Sequence, residues 1–362
     1  MDSVSQFALG AALTTAVLAG RTAPWKAVLW GGAMGTLPDL DTFVRHGDPI
    51  LDMVRHRAES HSLIYLSVLS LPLGWVGARW LGRPQTSDAT APQTQVSSAH
   101  ASAWQRWWFA TWLTLFTHPL LDWMTVYGTQ LAQPFSDHPF GLGSIFIIDP
   151  LYTLPLLLAL AVALVSQRVG TVRKACLLGL ALSTAYLGWS AAAQQHVRQV
   201  VKASLAAQGI QAERVLVTPT PFNTVLWRAV AVEDGRYWEG FHSLLDGGRP
   251  MRWKAYDRGA ALISTHAALP AVQRIAAFSH GFYRMGLEGG QVTLTDLRMG
   301  QEPFYTFHFL LGTADELARG SVTVEQRWMR PPLDGALPRL WQRLRGADIE
   351  LMPPTAPVAA PG

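Results

Sequence analysis

Pro38-Asp39-Leu40-Asp41 follows directly on an apolar run, and two later stretches answer it: His56-Arg57-Ala58-Glu59-Ser60-His61-Ser62 and, inside another apolar run, His118-Pro119-Leu120-Leu121-Asp122. Three histidines and three aspartates therefore stand at the mouths of hydrophobic segments. A carboxylate or an imidazole at an apolar edge is costly unless something compensates it, and a bound divalent cation is one compensation. The three stretches predict a metal site in a helical, membrane-embedded domain.

Six apolar runs surround these clusters. Residues 7–18 and 27–37 are each short for a span of about 20 residues. Both are rich in Gly and Ala, which predicts a closely packed helical hairpin stopped by Pro38. Residues 63–81, 107–126, 145–165 and 175–193 form the other four. The fourth run enters through Trp104, Trp107, Trp108 and Trp112, in the manner of an interfacial aromatic belt. Residues 47–60 read as a polar loop. Residues 84–103, rich in Gln, Ser, Thr, Ala and Pro, read as a flexible linker between the third and fourth helices.

Composition agrees. Of the 362 residues 49% are hydrophobic and 15% charged, with a mean hydropathy of +0.15; an ordinary soluble domain carries roughly 25% charged residues. The net charge is +4, but Arg and Lys gather at the ends of apolar runs. That placement suits headgroup contact, and without a basic stripe interleaved with aromatics no nucleic-acid partner is expected. The single Cys176 excludes an intrachain disulfide, and Met1-Asp2-Ser3 lacks the basic start of a secretory signal. Cations flank 21–26, 79–106 and 168–174, whereas 127–143 has none. With six spans this puts the first three segments in the cytoplasm. The 39–61 loop, the end of the fourth helix and the C-terminal domain then share the periplasmic face.

After Gln194 the pattern changes. Residues 196–208 read as a helix leaving the membrane. The short alternating runs 214–218, 225–233, 236–241, 291–297 and 305–311 read as strands, and 267–282 reads as a helix. The expected organisation is a membrane-embedded helical metal-site domain over 1–194, a smaller soluble α+β domain over 195–351, and a Pro/Ala-rich disordered tail over 352–362.

Spacing sets out what each cluster can do. His118 and Asp122, four apart, share one helix face and can bind one ion or simply hydrogen-bond within a bundle. Asp39 and Asp41 point the same way in extended chain, as two ligands or as a ligand and a base; a turn after Pro38 is the plainer alternative. His56 and His61, five apart, lie about 140° apart on a regular helix and cannot both face one ion from it. Arg57 offers a fork for phosphate or carboxylate, or a topology-setting charge. Asp149 before Pro150 is a further ligand or a helix N-cap. His242, Asp246, His266, His280 and His308 have no ligand spacing and read as structural.

These residues resemble the YdjM-like family, described as LexA-regulated, inner-membrane-associated, metal-dependent hydrolases. The likeness runs from Met1-Asp2-Ser3-Val4-Ser5-Gln6 and Gly10 through Leu37-Pro38-Asp39-Leu40-Asp41, His56-Arg57, His61-Ser62 and His118 with Asp122. It continues through Tyr127-Gly128-Thr129 and Pro134-Phe135-Ser136 to Ile148-Asp149-Pro150. It implies a helical membrane domain distantly like zinc-dependent phospholipase C, in the bacterial inner membrane. Some members carry His where this chain has Gln6. The expected metal ligands are Asp39, Asp41, His56, His61, His118 and Asp122, holding zinc or else manganese, since mixed N/O donors suit these better than calcium. Asp39 or Asp41 would serve as general base and Arg57 would bind the anionic part of a small-molecule or lipid substrate. Membrane lipid is the expected partner, and no protein partner is specified. The rival expectation is a non-catalytic membrane scaffold whose soluble domain binds a partner.

Overall fold

The computed structural model of the chain describes residues 1–82, 93–329 and 333–351. It forms two compact units, one of Met1–Arg45 with Arg55–Ala191, the other of His46–Val54 with the chain from Ala192 onward.

The first unit is helical. Its elements are α1 (Ser3–Leu18), α2 (Pro24–Thr36), a 3-10 turn (Pro38–Phe43), a second 3-10 turn (Glu59–His61), α4 (Leu63–Leu81), α5 (Gln93–Trp123), α6 (Pro150–Val165) and the first part of α7 (Val169–Ala207). The short α3 (Pro49–Arg55) lies between the two turns, and most of it groups with the second unit. Local chemistry sets the starts. The Asp2 carboxylate accepts from the Val4 and Ser5 amides at 3.0 and 3.1 Å to cap α1. Ser62 caps α4 through the Tyr65 amide at 3.2 Å, and Asp149 caps α6 just before Pro150.

Small residues set the packing. Where α1 crosses α2, a Cβ on Gly31 would overlap the Gly10 carbonyl oxygen and the Thr14 side chain, and one on Gly35 would overlap the Gln6 carbonyl oxygen. The two backbones therefore touch, as in close helix pairs within lipid. Hydroxyls join the helices further along: Thr14 and Thr114 oxygens lie 3.1 Å apart, and Trp30 Nε1 donates to Thr111 at 2.9 Å. Among the described residues α4 and α7 are long and apolar enough to cross a membrane, and α1 and α6 are shorter apolar helices. Only 22% of the apolar stretch of either long helix is buried, so neither is the core helix of a water-soluble fold. Leu151, Leu154, Leu158 and Val165 of α6 are likewise exposed, which suits a lipid surround.

The second unit is α+β. Strands β1 (Arg214–Pro219), β2 (Leu226–Val232), β3 (Arg236–Ser243) and β4 (Trp253–Asp257) form one antiparallel sheet in chain order. Helices α8 (Ala260–His266) and α9 (Pro270–Phe278) follow. Next come β5 (Tyr283–Glu288), β6 (Gln291–Asp296), the small hairpin β7 (Gly300–Gln301) and β8 (Phe304–Tyr305), β9 (His308–Thr313), α10 (Ala314–Ala318), β10 (Glu325–Gln326) and α11 (Leu333–Leu344). The second sheet runs β10-β9-β6-β5. Ala193, Val197, Val201 and Leu205, one per turn at the end of α7, pack on Val217, Trp227, Ala229 and Ala231 of the first sheet.

Several expectations change. The 47–60 segment is not simply loop: α3 forms there, with Asp48 accepting from the Leu51 amide at 2.8 Å, and the Glu59–His61 turn follows. The 84–103 linker is helical from Gln93, while 84–92 lies outside the described residues, as does the 352–362 tail. The helix expected over 267–282 ends at Phe278 because Ser279, His280 and Gly281 close it, the last two at positive φ. The sequence reading omitted β4 and β5, both edge strands whose residues do not alternate cleanly.

Replacing Gly31 by Val forces α1 and α2 apart. The expected loss is about 1–3 kcal/mol, the usual cost of overpacking, read as a lower thermal midpoint in detergent. Gly170→Ala, where a Cβ meets open space, serves as the control.

Candidate metal centre

Each cluster reaches the centre from a different element. The 3-10 turn after α2 carries Asp39 and Asp41, the second turn carries His61, and one face of α5 carries His118 and Asp122. One ligand atom from each of Asp39, His61, His118 and Asp122 lies within 4.8 Å of all the others, and three of these residues are buried. Among the described residues this is the group that could hold a metal ion.

The distances are specific. His61 Nε2 and His118 Nε2 are 3.1 Å apart. They stand 3.1 and 3.3 Å from Asp122 Oδ2, and 3.5 and 3.6 Å from Asp39 Oδ1. Four donors about 2.0–2.2 Å from a common centre, as in zinc coordination, are about 3.3–3.6 Å from one another in a tetrahedron. Tautomers support the fit. His118 Nδ1 donates to the Gly35 carbonyl at 2.7 Å, which leaves a lone pair on Nε2. Ser60 Oγ donates to Asp41 Oδ2 at 2.5 Å and so accepts from His61 Nδ1 at 2.9 Å, which leaves Nε2 of His61 equally bare. Once the proton shared by the two Nε2 atoms has left, two imidazole lone pairs and one oxygen each of Asp39 and Asp122 face one point. A cation at that point relieves the arrangement, and the residues present fit a divalent ion.

The structure divides the six expected ligands. Asp41 and His56 do not belong to the four. Asp41 Oδ1 is 2.7 Å from His56 Nδ1, and its Oδ2 takes the Arg57 amide at 2.9 Å as well as Ser60. Asp41 therefore sits behind His61, orienting it, and His56 pairs with Asp41 at the rim with its side chain 24% exposed. Arg57 is not an open fork for an anion. It is buried, with Nη1 3.2 Å from Thr125 Oγ1, Nη2 3.4 Å from Asp122 Oδ1, and its guanidinium 5.0 Å from the Tyr127 ring centre. Its backbone is left-handed, φ 67°, a strained state for a side-chain-bearing residue. Asp149 is an N-cap, taking the Leu151 amide at 3.0 Å and the Tyr186 hydroxyl at 2.9 Å. Among the C-terminal histidines, His308 hydrogen-bonds Thr295 at 2.8 Å inside its own unit.

Two neighbours carry information the spacing lacks. Gln6, buried on α1, donates through Nε2 to Asp122 Oδ1 at 3.1 Å and to the His118 carbonyl at 3.2 Å, while its own Oε1 has no partner. The Met1 amine also pairs with Asp122 Oδ1. Only the family likeness had drawn attention to Gln6; nothing in its local sequence marks it.

Charge follows geometry. Burial raises the Asp39 carboxyl, but hydrogen bonds with His118 and His61 outweigh it and hold Asp39 below the usual carboxylate range. Asp41 is lowered in the same way, burial being outweighed by His56 and His61. Burial lowers His61, but Asp122, Asp39 and Asp41 around it outweigh this and push it up to about 9.

The model of the family described as YdjM inner membrane protein matches residues 1–197, more than half of the chain. No curated protein matches, and neither does any solved structure.

With His61 protonated below about 9 in the metal-free protein, an incoming ion must displace that proton. Apparent affinity should rise about tenfold per pH unit from neutrality towards that value, with about one proton released per ion. Calorimetry in buffers of different ionisation enthalpy measures this, and a pH-independent affinity would remove His61 from the ligand set.

Proposed function

Since the chain belongs to the YdjM inner membrane protein family, we propose that it is a multi-pass inner-membrane hydrolase. Its divalent ion is zinc, with manganese the second choice, and its substrate a phosphoester of lipid or envelope material. One observation carries the reading: two Nε2 atoms and two carboxylate oxygens face a single point between apolar helices. The cation bias of the loops assigns that point to the periplasmic side.

Asp39, His61, His118 and Asp122 would hold the ion, which when bound supplies Lewis acidity and an activated water. The remaining roles belong to the chain itself. Gly35 and Ser60, the latter held by Asp41, fix the two imidazole rings in the tautomer that presents Nε2. Both oxygens of Asp41 accept from Ser60, His56 and the Arg57 amide away from the centre, so it orients rather than accepts a proton. Asp39 has Oδ2 unpartnered and is the carboxylate placed to take one. His56, half-buried at the rim with Nδ1 fixed on Asp41, is placed to return a proton to the leaving oxygen through its other nitrogen. Arg57 and Gln6 hold Asp122 through Oδ1, which keeps Oδ2 turned to the centre.

The same two contacts favour one other reading. Arg57 supplies Asp122 with a permanent cation, so the cluster can also serve as a polar clasp in a scaffold without metal. Elemental analysis of the purified full chain separates them. Under the lead reading wild type carries near-stoichiometric metal and His118→Ala/Asp122→Ala carries almost none, whereas metal-free wild type means a clasp. His56→Asn should keep its metal yet lose about 10²-fold or more in turnover of a chromogenic phosphodiester, the usual scale of a lost proton donor. Full turnover by that variant ends the assignment of His56.

A further inference from the structure

Helix α11 is fastened to the second unit along one side. Nη1 and Nη2 of Arg343 donate to the two Asp246 carboxylate oxygens at 2.5 and 2.7 Å, and Nη2 also donates to the Phe241 carbonyl at 2.9 Å. The Ser243 hydroxyl donates to the Leu344 carbonyl at 2.5 Å. Trp341 is two residues before Arg343, about 200° round a helix that turns about 100° per residue. The anchoring side chain and Trp341 therefore leave opposite faces.

The outward face is apolar and uncovered within its unit. Leu337 and Trp341, one turn apart, are 52% and 59% exposed. Arg345, a further turn on, is exposed as well. Leu245, 59% exposed, stands at the end of the helix, where Gly346 packs against its carbonyl oxygen. A tryptophan and a leucine held out at helical spacing by a buried guanidinium fork gain free energy by leaving water.

Charge indicates what receives them. Arg343 is taken up by Asp246 and Arg339 leaves the same side as Arg343, so the cations at the end of the outward face are Arg345 and Arg249, whose Nη1 donates to the Gly346 carbonyl at 3.0 Å. The acids that follow are neutralised, Asp348 by Arg252 at 2.5 Å and Glu350 by Lys254 at 2.7 Å. A short helix with Trp and Leu on its outward side and arginines at its C-terminal end has the make-up of a segment lying in the headgroup layer of an anionic bilayer. The chain belongs to an inner-membrane family, so such a surface is at hand. We infer that the Leu337/Trp341 face of α11 inserts into an anionic lipid interface, with Arg345 at the phosphates. The second unit thus has a membrane contact of its own, independent of any metal chemistry.

The full chain in nanodiscs of phosphatidylcholine and phosphatidylglycerol tests this, with a nitroxide placed by Trp341→Cys or, separately, Leu337→Cys. Both sites are exposed, so neither change is expected to unfold the unit. Collision with a water-soluble nickel reagent should be at least about fivefold lower at both positions than at an Asp234→Cys label in the exposed β2–β3 turn, and collision with oxygen higher, as for an interfacial helix face. Nickel accessibility equal to that of the Asp234→Cys label overturns the inference. Protection that vanishes when each disc holds one protein molecule also overturns it, because the cover is then a second copy.

Discussion

A carboxylate enclosed by apolar helices cannot stand without a countercharge, and Asp122 is that carboxylate. Removing a charge from water costs several kcal/mol even after relaxation. The first unit answers with Arg57, the Gln6 amide, two imidazoles and the amino terminus, drawn from segments more than a hundred residues apart. The path of the chain follows from this demand. Residue 57 takes a left-handed backbone so that its amide meets Asp41 while its side chain meets Asp122. The strain is local, and the compensation is shared by the whole site.

Glycine packing and site chemistry are linked. Gly35 lets α2 lie against α1 at Gln6, and its carbonyl is the oxygen that fixes the tautomer of His118. Gln6, brought close by the same contact, holds Asp122. A side chain on Gly35 would therefore disturb two of the partners that aim the centre, not only the fit of two helices. This joins the Gly/Ala-rich hairpin, which reads as a packing feature, to the Asp and His clusters, which read as chemistry.

Much of this was legible because the signals were local. The six apolar runs correspond to α1, α2, α4, α5, α6 and α7, and the i, i+4 pair on α5 does share a face towards the centre. His61 and Asp39 join it as the clusters suggested. What could not be read was the division of labour between neighbours. Asp39 and Asp41, or His56 and His61, are equivalent in composition and spacing. A 3-10 turn instead of an extended strand sends Asp41 behind His61 and leaves His56 at the rim. The burial of Arg57 is hidden for the same reason, since it depends on Tyr127 and Thr125, about seventy residues further on. In the second unit the alternating runs gave β1, β2, β3, β6 and the first part of β9, whereas β4 and β5, whose residues do not alternate cleanly, left a weaker trace.

The helix that carries His118 and Asp122 is not among the described helices recognised by length and hydropathy alone. Thr111, Thr114, His118 and Asp122 recur every three or four residues on α5, continued by Thr125 just past its end, and all five are buried. That stripe lowers the mean hydropathy of the segment without placing a polar group before lipid, because α1, α2 and the turns cover it. By contrast α4 and α7, exposed along most of their apolar stretches, have to be apolar all round. Hydropathy therefore marks the helices with exposed apolar stretches, and a helix in the interior of a bundle that carries a polar cluster is found by the period of its polar residues instead. On α5 that period leads directly to His118 and Asp122.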